Sequence, residues 1–113
     1  MNFTLSKEHQ MLQKAVREFA VKQIAPNVAQ WDADHYFPYD EVIKPMGKLG
    51  FFGMCIPEEY GGEDLDWLSA VIITEEIAKV SSSLRVQVNM QCIGSAYTIY
   101  KYGNENLRKK YIE

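Results

Sequence analysis

The apolar positions at the start of the chain repeat with the period of an α-helix. They follow one another at steps of four, three, one and four residues with charged residues between them, and this spacing places them on one face of a helix. Ser6 is suited to cap the start of that helix, and Glu8 lies in its first turn, where the helix dipole favours a negative charge. Pro26 predicts a kink or a restart, because proline lacks an amide hydrogen and restricts the residue before it. The apolar positions are Leu12, Val16, Phe19, Ala20 and Ile24.

Two shorter segments also predict helices. Residues 39–49 have helical spacing and are closed by Gly50, although Pro45 falls inside the segment and lacks an amide hydrogen. Near the end of the chain, Asn104 is suited to cap a last helix that continues to Glu113 with no closing glycine or proline. Because the chain stops inside this predicted helix, we expect it to be a fragment of a longer protein.

The two longest predicted helices lie in the second half of the chain. Asp66 is suited to cap a helix over residues 67–80, and we expect the serines at 81–83 to end it. The next segment, 84–102, begins with an alternation of apolar and polar residues that would also suit a strand. Its length and its rows of apolar residues four positions apart favour a helix that is buried on two sides. The apolar residues concerned are Leu84, Val86, Val88, Met90, Cys92, Ala96 and Tyr97.

These elements add up to five or six helices with no convincing strand, internal repeat or low-complexity linker. We therefore expect an all-α protein, an up-and-down helical bundle. A chain of 113 residues is long enough for one such domain with a single core.

Composition and charge argue against several classes of protein. Apolar residues make up 47% of the chain and charged residues 24%, and the net charge of −3 lacks the basic excess of a nucleic-acid binder. No apolar run approaches the roughly 18 residues of a membrane span, and the first residues lack the pattern of a signal peptide. Cys55 and Cys92 lie in apolar surroundings without CxxC spacing, which favours free thiols and a cytoplasmic location.

Catalytic and metal-binding motifs are scarce. His9 and His35 are the two histidines, and neither has the spacing of a helical metal site, so we expect no metal. The sequence contains no nucleophile elbow, phosphate loop or dinucleotide-binding motif. The adjacent glutamates at 58–59 fall in a loop where carboxylates are most often solvated. Of the glutamates at 75–76, one must face inward on an apolar helix, which favours a structural hydrogen-bonding role over acid–base chemistry.

The segment LGFFGMCIPEEYGGEDLDW, residues 49–67, is too apolar for an exposed loop. Pro57 and the glycine pair at 61–62 are expected to turn the chain toward the next helix. We therefore interpret the segment as a buried connector between two helix pairs. The side chains expected to face inward are Phe51, Phe52, Met54 and Ile56.

The connector also carries a family resemblance. The residues LGFFGMCIPEEYGGEDLD resemble the signature that follows the third helix in the N-terminal domain of the acyl-CoA dehydrogenases. Three other stretches agree with this resemblance: AVKQIAPNVAQWDADHYFP, TEEIAKVSSS and YGNENLRKKY. Because the resemblance covers essentially the whole chain, residues 1–113 are identified as the N-terminal helical domain of a three-domain enzyme.

The resemblance implies a function for the longer protein. Members of the family desaturate an acyl-CoA thioester with FAD, which lies between the middle and C-terminal domains. A glutamate of the C-terminal domain removes the substrate's α-proton while the β-hydride passes to the flavin. Neither that glutamate nor the flavin-binding segments have a counterpart in this sequence, so we expect the chain alone to bind no FAD and to be inactive. The resemblance also implies a homotetramer and an electron-transferring flavoprotein as redox partner.

The same resemblance places one wall of the acyl pocket on the helix over residues 84–102, counted back from the shared Tyr-Gly pair at 102–103. Most members have an apolar or small residue at the position of Arg85, whereas the glutaryl-CoA dehydrogenase branch has an arginine that holds the distal carboxylate. A guanidinium suits this task because it meets a carboxylate with two parallel hydrogen bonds. From the residues alone, the pattern favours a position near a helix start with the guanidinium in solvent or on a neighbouring carbonyl. The residues implied to line the pocket are Arg85, Val86, Asn89 and Met90.

Several alternatives stay open at this point. Glutaryl-CoA dehydrogenases that also decarboxylate tend to carry an acidic residue two turns before the arginine, and the matching residue here is Ala78. An enzyme that stops at the dicarboxylic enoyl-CoA therefore remains open, as does one that acts on another polar or cyclic acyl-CoA. The alternative from a different class is a free-standing helical module that binds a partner through an exposed apolar face.

Overall fold

The computed structural model describes residues 1–112, and all regular secondary structure in this range is helical. Several of the α-helices are joined end to end by π-helical turns, so that the chain forms six continuous helical rods. The bundle has principal extents of 42 × 40 × 20 Å. The predicted all-α, up-and-down bundle of five to six helices is confirmed.

The first rod consists of α1, Lys7–Phe19, and a π-helical turn, Ala20–Ile24. The Ser6 hydroxyl caps it as predicted, accepting a hydrogen bond from an amide of the first turn at 3.2 Å. The chain then turns around Pro26 before α2, Val28–Ala33, begins. The predicted restart at the proline is therefore confirmed.

The third rod contains a proline near its middle. A π-helical turn, Tyr39–Ile43, leads into α3, Lys44–Lys48. Where the two meet, the Lys44 amide donates a hydrogen bond to the Tyr39 carbonyl, five residues back rather than four. Pro45 lies directly after this turn, in the first turn of α3, and its missing amide hydrogen leaves one bond out of the continuous rod. The rod closes at Gly50, whose φ of +82° is readily adopted by glycine. The predicted helix therefore forms in spite of its proline.

The first part of the connector between the third rod and the next, residues 50–57, is buried or half-buried as predicted, whereas Leu49 and residues 63–67 are exposed. Its backbone groups pair with one another in the absence of a long helix, for example through the 2.7 Å hydrogen bond from the Leu65 amide to the Met54 carbonyl. The hydroxyl of Tyr60, on a short 3₁₀ turn, lies 2.8 Å from a carboxylate oxygen of Glu105 and ties the connector to the last helix. Phe51, Met54 and Ile56 are buried and Phe52 is half-buried.

The fourth and fifth rods form a helical hairpin. The fourth is α4, Trp67–Ala78, and the fifth begins with α5, Ser82–Val88. A π-helical segment, Asn89–Ala96, continues α5 without a break into α6, Tyr97–Tyr102. The ambiguous segment is therefore one continuous helix, which confirms the prediction made from its length.

The prediction that the serines at 81–83 end the preceding helix is wrong. That helix already ends at Ala78, and Ser81 caps the next one by accepting a hydrogen bond from the Leu84 amide at 3.2 Å. Serine can bond to backbone groups on either side, and the extended backbone at Ser81 suits an N-cap. Asp66, by contrast, caps α4 as predicted.

The last rod is α7, Glu105–Tyr111, which Asn104 caps as predicted. The Arg108 side chain ties it to the preceding helix by donating a hydrogen bond to the Tyr100 carbonyl at 2.9 Å. Glu113, on which the prediction of a chain that stops inside a helix depends, lies outside the described residues.

One charged side chain lies within the core. Glu76 of α4 is only 2% exposed, and its carboxylate accepts two hydrogen bonds of 3.0 Å from the Arg17 guanidinium of α1. Lys79 donates a further hydrogen bond at 2.7 Å. The bonds from Arg17 and then from Lys79 hold the pKa of Glu76 below its ordinary value in spite of burial. This confirms the prediction that one of the glutamates at 75–76 faces inward in a structural role.

Candidate functional site

The predicted site residues lie on the hairpin formed by α4 and α5, whose two helices pack side by side. Ile73 and Ile77 of α4 and Leu84 and Val88 of α5 are buried in the core. Because each helix buries one side, its opposite side faces outward. The exposed apolar side chains of the two helices lie on these outward sides.

Large apolar side chains cover this outer face. Val71 of α4 and Met90 of the π segment are each 55% exposed, and the ring of Trp67 meets that of Tyr97 edge to face at 4.7 Å between centroids. A surface on which several large apolar side chains are adjacent indicates a site that a ligand or another protein surface covers. We name these residues the outer strip: Trp67, Leu68, Val71, Val86 and Met90.

Arg85 lies beside the outer strip and is half-buried. Its guanidinium donates a hydrogen bond to the Ser82 hydroxyl at 3.3 Å. Among residues 1–112, no carboxylate forms an ion pair with it, whereas Arg17 and Arg108 each pair with a glutamate. Arg85 is therefore a cation beside an apolar surface whose counter-ion the described chain does not supply, and a bound anion would provide one.

Asn89 lies one turn after Arg85. The Thr74 hydroxyl of α4 contacts its carboxamide, with 3.1 Å between Thr74 Oγ1 and Asn89 Oδ1. The same hydroxyl oxygen lies 2.8 Å from the carbonyl oxygen of Ala70. Thr74 is not among the predicted site residues, although its polar side chain in the otherwise apolar run of residues 70–73 is a signal for an inter-helix contact.

The structure brings the four predicted site residues together on a single stretch of helix. Arg85 and Val86 belong to α5, and Asn89 and Met90 open the π segment. A π-helical turn widens the helix and often occurs at functional sites, and the sequence carried no signal for it. None of the four residues lines any of three clefts on the bundle surface, so they form an open wall here and not a closed pocket.

The position two turns before Arg85 carries no acidic group. Ala78 is exposed at the end of α4. Glu75, one turn earlier, has its carboxylate 3.7 Å from the ammonium of Lys79. The position that the resemblance singles out therefore carries a methyl group and not a carboxylate.

A cleft of about 490 Å³ lies elsewhere on the bundle, between residues 28–38 and the start of α5. Its lining includes Trp31, His35 and three serines but no lysine or arginine, so it offers no cationic partner to a phosphate-bearing cofactor. The two cysteines are free thiols, and burial raises the pKa of Cys55 to about 11, which disfavours thiolate chemistry.

His9 bridges the caps of two helices. Its Nδ1 lies 2.7 Å from the hydroxyl of Ser6, which caps α1, and its Nε2 lies 3.0 Å from the carboxylate of Asp66, which caps α4. Hydrogen bonds from Ser69, followed by the bond from His9, lower the pKa of Asp66 to about 2. This arrangement fastens the starts of two helices and is structural.

Two absences complete the description of residues 1–112. No three His, Cys, Asp or Glu side chains are grouped so that they could hold a metal ion. No helix in the same range is long and apolar enough to cross a membrane.

Comparison with known proteins identifies relatives of this chain. The family model "Acyl-CoA dehydrogenase, N-terminal domain" matches residues 6–113. The chain is 61% identical over 114 residues to the glutaryl-CoA dehydrogenase of Desulfococcus multivorans, in an alignment that covers 99% of this chain and 29% of the relative.

Solved structures show the same similarity. The bundle matches the structure of a glutaryl-coenzyme A dehydrogenase in its glutaryl-CoA complex with a TM-score of 0.96 and 61% identity, over 99% of this chain and 29% of that one. It matches a chain in a structure of the electron transferring flavoprotein of Acidaminococcus fermentans with a TM-score of 0.93 and 38% identity, over 99% and 29% of the two chains. The sequence therefore spans about 29% of the length of these relatives.

Proposed function

Because this chain belongs to the acyl-CoA dehydrogenase family, we propose that residues 1–113 are the N-terminal helical domain of a longer, FAD-dependent enzyme that desaturates an acyl-CoA thioester. The family match from residue 6 onward and the near-complete superposition on longer relatives support this assignment. In the proposed enzyme, the outer strip and the adjacent face of α5 form one wall of the acyl pocket.

We propose glutaryl-CoA as the substrate, and the observation that carries this proposal is the guanidinium of Arg85, which has no carboxylate partner among residues 1–112. An unbranched monocarboxylic acyl chain would leave that cation buried against hydrocarbon with no partner, which is unfavourable. A dicarboxylic acyl chain brings a carboxylate that a guanidinium can bind with two charge-assisted hydrogen bonds. The similarity to a glutaryl-CoA dehydrogenase over the whole chain supports the same substrate.

The other wall residues have roles that follow from their chemistry. Val86 and Met90 present apolar side chains to the methylene groups of the acyl chain. The Asn89 carboxamide adds a neutral hydrogen bond to the carboxylate held by Arg85. Closure of the pocket by the rest of the enzyme would exclude water and strengthen both polar contacts.

The flavin site is expected to lie outside this sequence. FAD carries a diphosphate, and the cleft of about 490 Å³ near the start of α5 has no lysine or arginine to meet it. This cleft therefore does not fit the cofactor, and the proposed contribution of this chain is to bind and orient the acyl group. Acceptance of a hydride is the chemistry that FAD supplies.

We further propose a cytoplasmic homotetramer that passes electrons to an electron-transferring flavoprotein. The similarity to a chain in a solved structure of such a flavoprotein supports the redox partner. The free thiols are in keeping with a reducing compartment.

Reduction of the flavin in the full-length enzyme tests the proposed function. The enzyme is mixed without oxygen with glutaryl-CoA, butyryl-CoA or a cyclic acyl-CoA, and loss of the flavin absorbance is followed. We expect the fastest loss with glutaryl-CoA. An equal or faster reaction with butyryl-CoA or the cyclic substrate would contradict the glutaryl assignment, and no reaction with any acyl-CoA would contradict the enzyme assignment. Release of CO2 in the glutaryl-CoA reaction shows whether the enzyme decarboxylates with Ala78 in place of an acidic residue.

The outer strip also fits a second candidate function, a free-standing module that binds a partner through this apolar face. The two functions differ in what the isolated chain does with FAD and in the length of the gene. We expect the purified chain to be colourless and the reading frame to continue beyond Glu113. A stoichiometric FAD complex of the chain alone would contradict the domain assignment, and a reading frame that stops there would favour the binding module.

A further inference from the structure

We propose that Thr74 is a positioning residue that turns the amide hydrogens of Asn89 toward the acyl group, and that it thereby makes the pocket selective for a carboxylate. This inference rests on the proposed function, because it concerns the substrate group held at Arg85. It adds a residue of α4 to a site whose other polar groups belong to α5 and the π segment.

The argument begins with the single hydrogen of the Thr74 hydroxyl. Thr74 Oγ1 lies 2.8 Å from the carbonyl oxygen of Ala70 and 3.1 Å from Oδ1 of Asn89. Both of these oxygens accept hydrogen bonds and cannot donate them, and one hydroxyl hydrogen can serve only one of them well. The Thr74 hydroxyl therefore donates a good hydrogen bond either to the Ala70 carbonyl of its own helix or to Asn89 of the neighbouring helix.

The two acceptor oxygens differ in whether they have another hydrogen-bond donor besides Thr74. The Ala70 carbonyl lies inside α4, where the helix already provides an amide donor four residues later. Within residues 1–112, Thr74 is the hydrogen-bond partner of Asn89 Oδ1. The contact with Ala70 is the shorter one, but it adds to a bond that the helix already makes. Because a half-buried oxygen without a donor is unfavourable, we infer that the hydroxyl hydrogen stabilises the protein more at Asn89.

The orientation of Asn89 decides what a ligand meets. A carboxamide has an accepting oxygen at one end and two N–H donors at the other. When Oδ1 is bound by Thr74, the N–H groups are left for the side away from α4, on the helix face that carries Arg85 one turn earlier. The opposite orientation would present an oxygen to a carboxylate, and two acceptors repel each other. Thr74 thus favours the orientation that suits a dicarboxylic acyl chain.

Substitution of the hydroxyl by a methyl group separates this role from packing. Thr74→Val keeps the shape of the side chain and removes its hydrogen-bonding capacity, whereas Thr74→Ser keeps the hydroxyl and removes the methyl group. Thr98→Val is the matched control, because Thr98 is an exposed threonine on α6, farther along the same rod than Asn89 and without a hydrogen bond to it. These variants, Asn89→Ala and the double variant Thr74→Val/Asn89→Ala are made in the full-length enzyme.

The measurement is kcat/KM for glutaryl-CoA and for butyryl-CoA. We expect Thr74→Val to lower the glutaryl-CoA value roughly three- to tenfold and to leave the butyryl-CoA value within about twofold, as suits the loss of one neutral hydrogen bond. Thr74→Ser should retain most of the glutaryl-CoA value, and Thr98→Val should change neither. The double variant should be no worse than Asn89→Ala alone, because Thr74 acts through Asn89.

Two results would overturn the proposal. If Thr74→Val lowers both substrates equally, or if its effect adds in full to that of Asn89→Ala, then Thr74 is structural and does not position Asn89. Arg85→Met keeps this outcome distinct from a failure of the proposed function. If Arg85→Met separates the two substrates and Thr74→Val does not, only the role of Thr74 is wrong. If Arg85→Met does not separate them, the proposed carboxylate site is wrong, and the role of Thr74 is wrong with it.

Discussion

The inner side of α4 and the outer side of the α4–α5 hairpin differ in whether their charged groups have partners. On the inner side, the carboxylate of Glu76 is buried and receives hydrogen bonds from Arg17 and Lys79. On the outer side, Val71 is exposed, and Arg85 of the adjoining helix has only the Ser82 hydroxyl as a partner among residues 1–112. On the inner side the charge of Glu76 has its partners. On the outer side the apolar side chains are exposed, and Arg85 has no carboxylate partner among residues 1–112.

This difference separates what serves the fold from what serves a ligand. A buried carboxylate persists in a folded protein only if its hydrogen-bonding capacity is met, and the α1–α4 contact meets it within the chain. On the outer face, the exposed apolar side chains lack a surface that covers them and Arg85 lacks a carboxylate partner among the described residues. The completed side stabilises the bundle, and the incomplete side is where the proposed acyl group and the remaining domains fit.

The largest expected effect on stability comes from comparing a buried and an exposed residue of α4. Ile73→Ala removes a fully buried side chain and should lower the free energy of unfolding by about 2 to 5 kcal/mol. Val71→Ala, two residues away on the outer side, should change it by less than about 0.5 kcal/mol. Urea unfolding of the two variants, followed by far-ultraviolet circular dichroism, measures both values. Similar losses in the two variants would show that Val71 is packed in the isolated chain.

The next effect compares two arginines. Arg17→Met leaves the buried Glu76 carboxylate with Lys79 as its remaining partner and should lower the free energy of unfolding by about 1 to 3 kcal/mol. Arg85→Met is the matched control, and because Arg85 has no carboxylate partner, we expect a change of less than about 0.5 kcal/mol. If Arg85→Met destabilises the chain as much as Arg17→Met does, then Arg85 is a structural residue.

A smaller effect concerns acid. The folded-state pKa of Asp66 is about 2, below its ordinary value of 3.8, so the unfolded chain binds this proton more readily. Its contribution to stability is therefore complete above about pH 4 and is lost as the pH falls toward about 2. Asp66→Asn should reduce the acid dependence of the unfolding midpoint in that range, while Asp32→Asn, on the exposed surface of α2, serves as the control. Equal acid dependence in the wild type and Asp66→Asn would contradict this role.

The smallest effect on stability is expected at the outer strip. Val71→Glu combined with Met90→Glu should leave the free energy of unfolding nearly unchanged, because both side chains are mostly exposed. The same pair should abolish the self-association that we expect of the isolated chain through this apolar face. Sedimentation velocity over a range of concentrations measures the association. A wild-type chain that stays monomeric at every concentration would argue against an uncovered interface.

Much of the fold follows from local patterns, whereas parts of the site do not. The caps at Ser6, Asp66 and Asn104 were predictable because a short polar side chain before a helical repeat satisfies free amides. The π segment was not, because the spacing of apolar residues does not distinguish a π-helical segment from the α-helix that it continues. The role of Ser81 as the cap of the following helix was missed because a serine between two helices can bond to the backbone of either one.

The same distinction applies to the site residues. Arg85 stood out through the family resemblance, because most members carry an apolar or small residue there, whereas the residues alone favoured a solvated arginine. Thr74 could not be assigned from the sequence, because its importance depends on a contact with Asn89 that only the packed hairpin creates. Whether Arg85 holds a carboxylate remains a prediction that kinetics must test.

That test is the ratio of kcat/KM for glutaryl-CoA to kcat/KM for a monocarboxylic acyl-CoA of similar length, measured in the full-length enzyme and in its Arg85→Met variant. If Arg85 holds the distal carboxylate in a pocket closed to water, its loss leaves that carboxylate without a partner and should cost about 2 to 5 kcal/mol of transition-state binding. This corresponds to a fall of roughly thirty- to several-thousand-fold for glutaryl-CoA, with the monocarboxylic substrate unchanged or improved. An equal fall for both substrates, or no fall for either, would contradict the account.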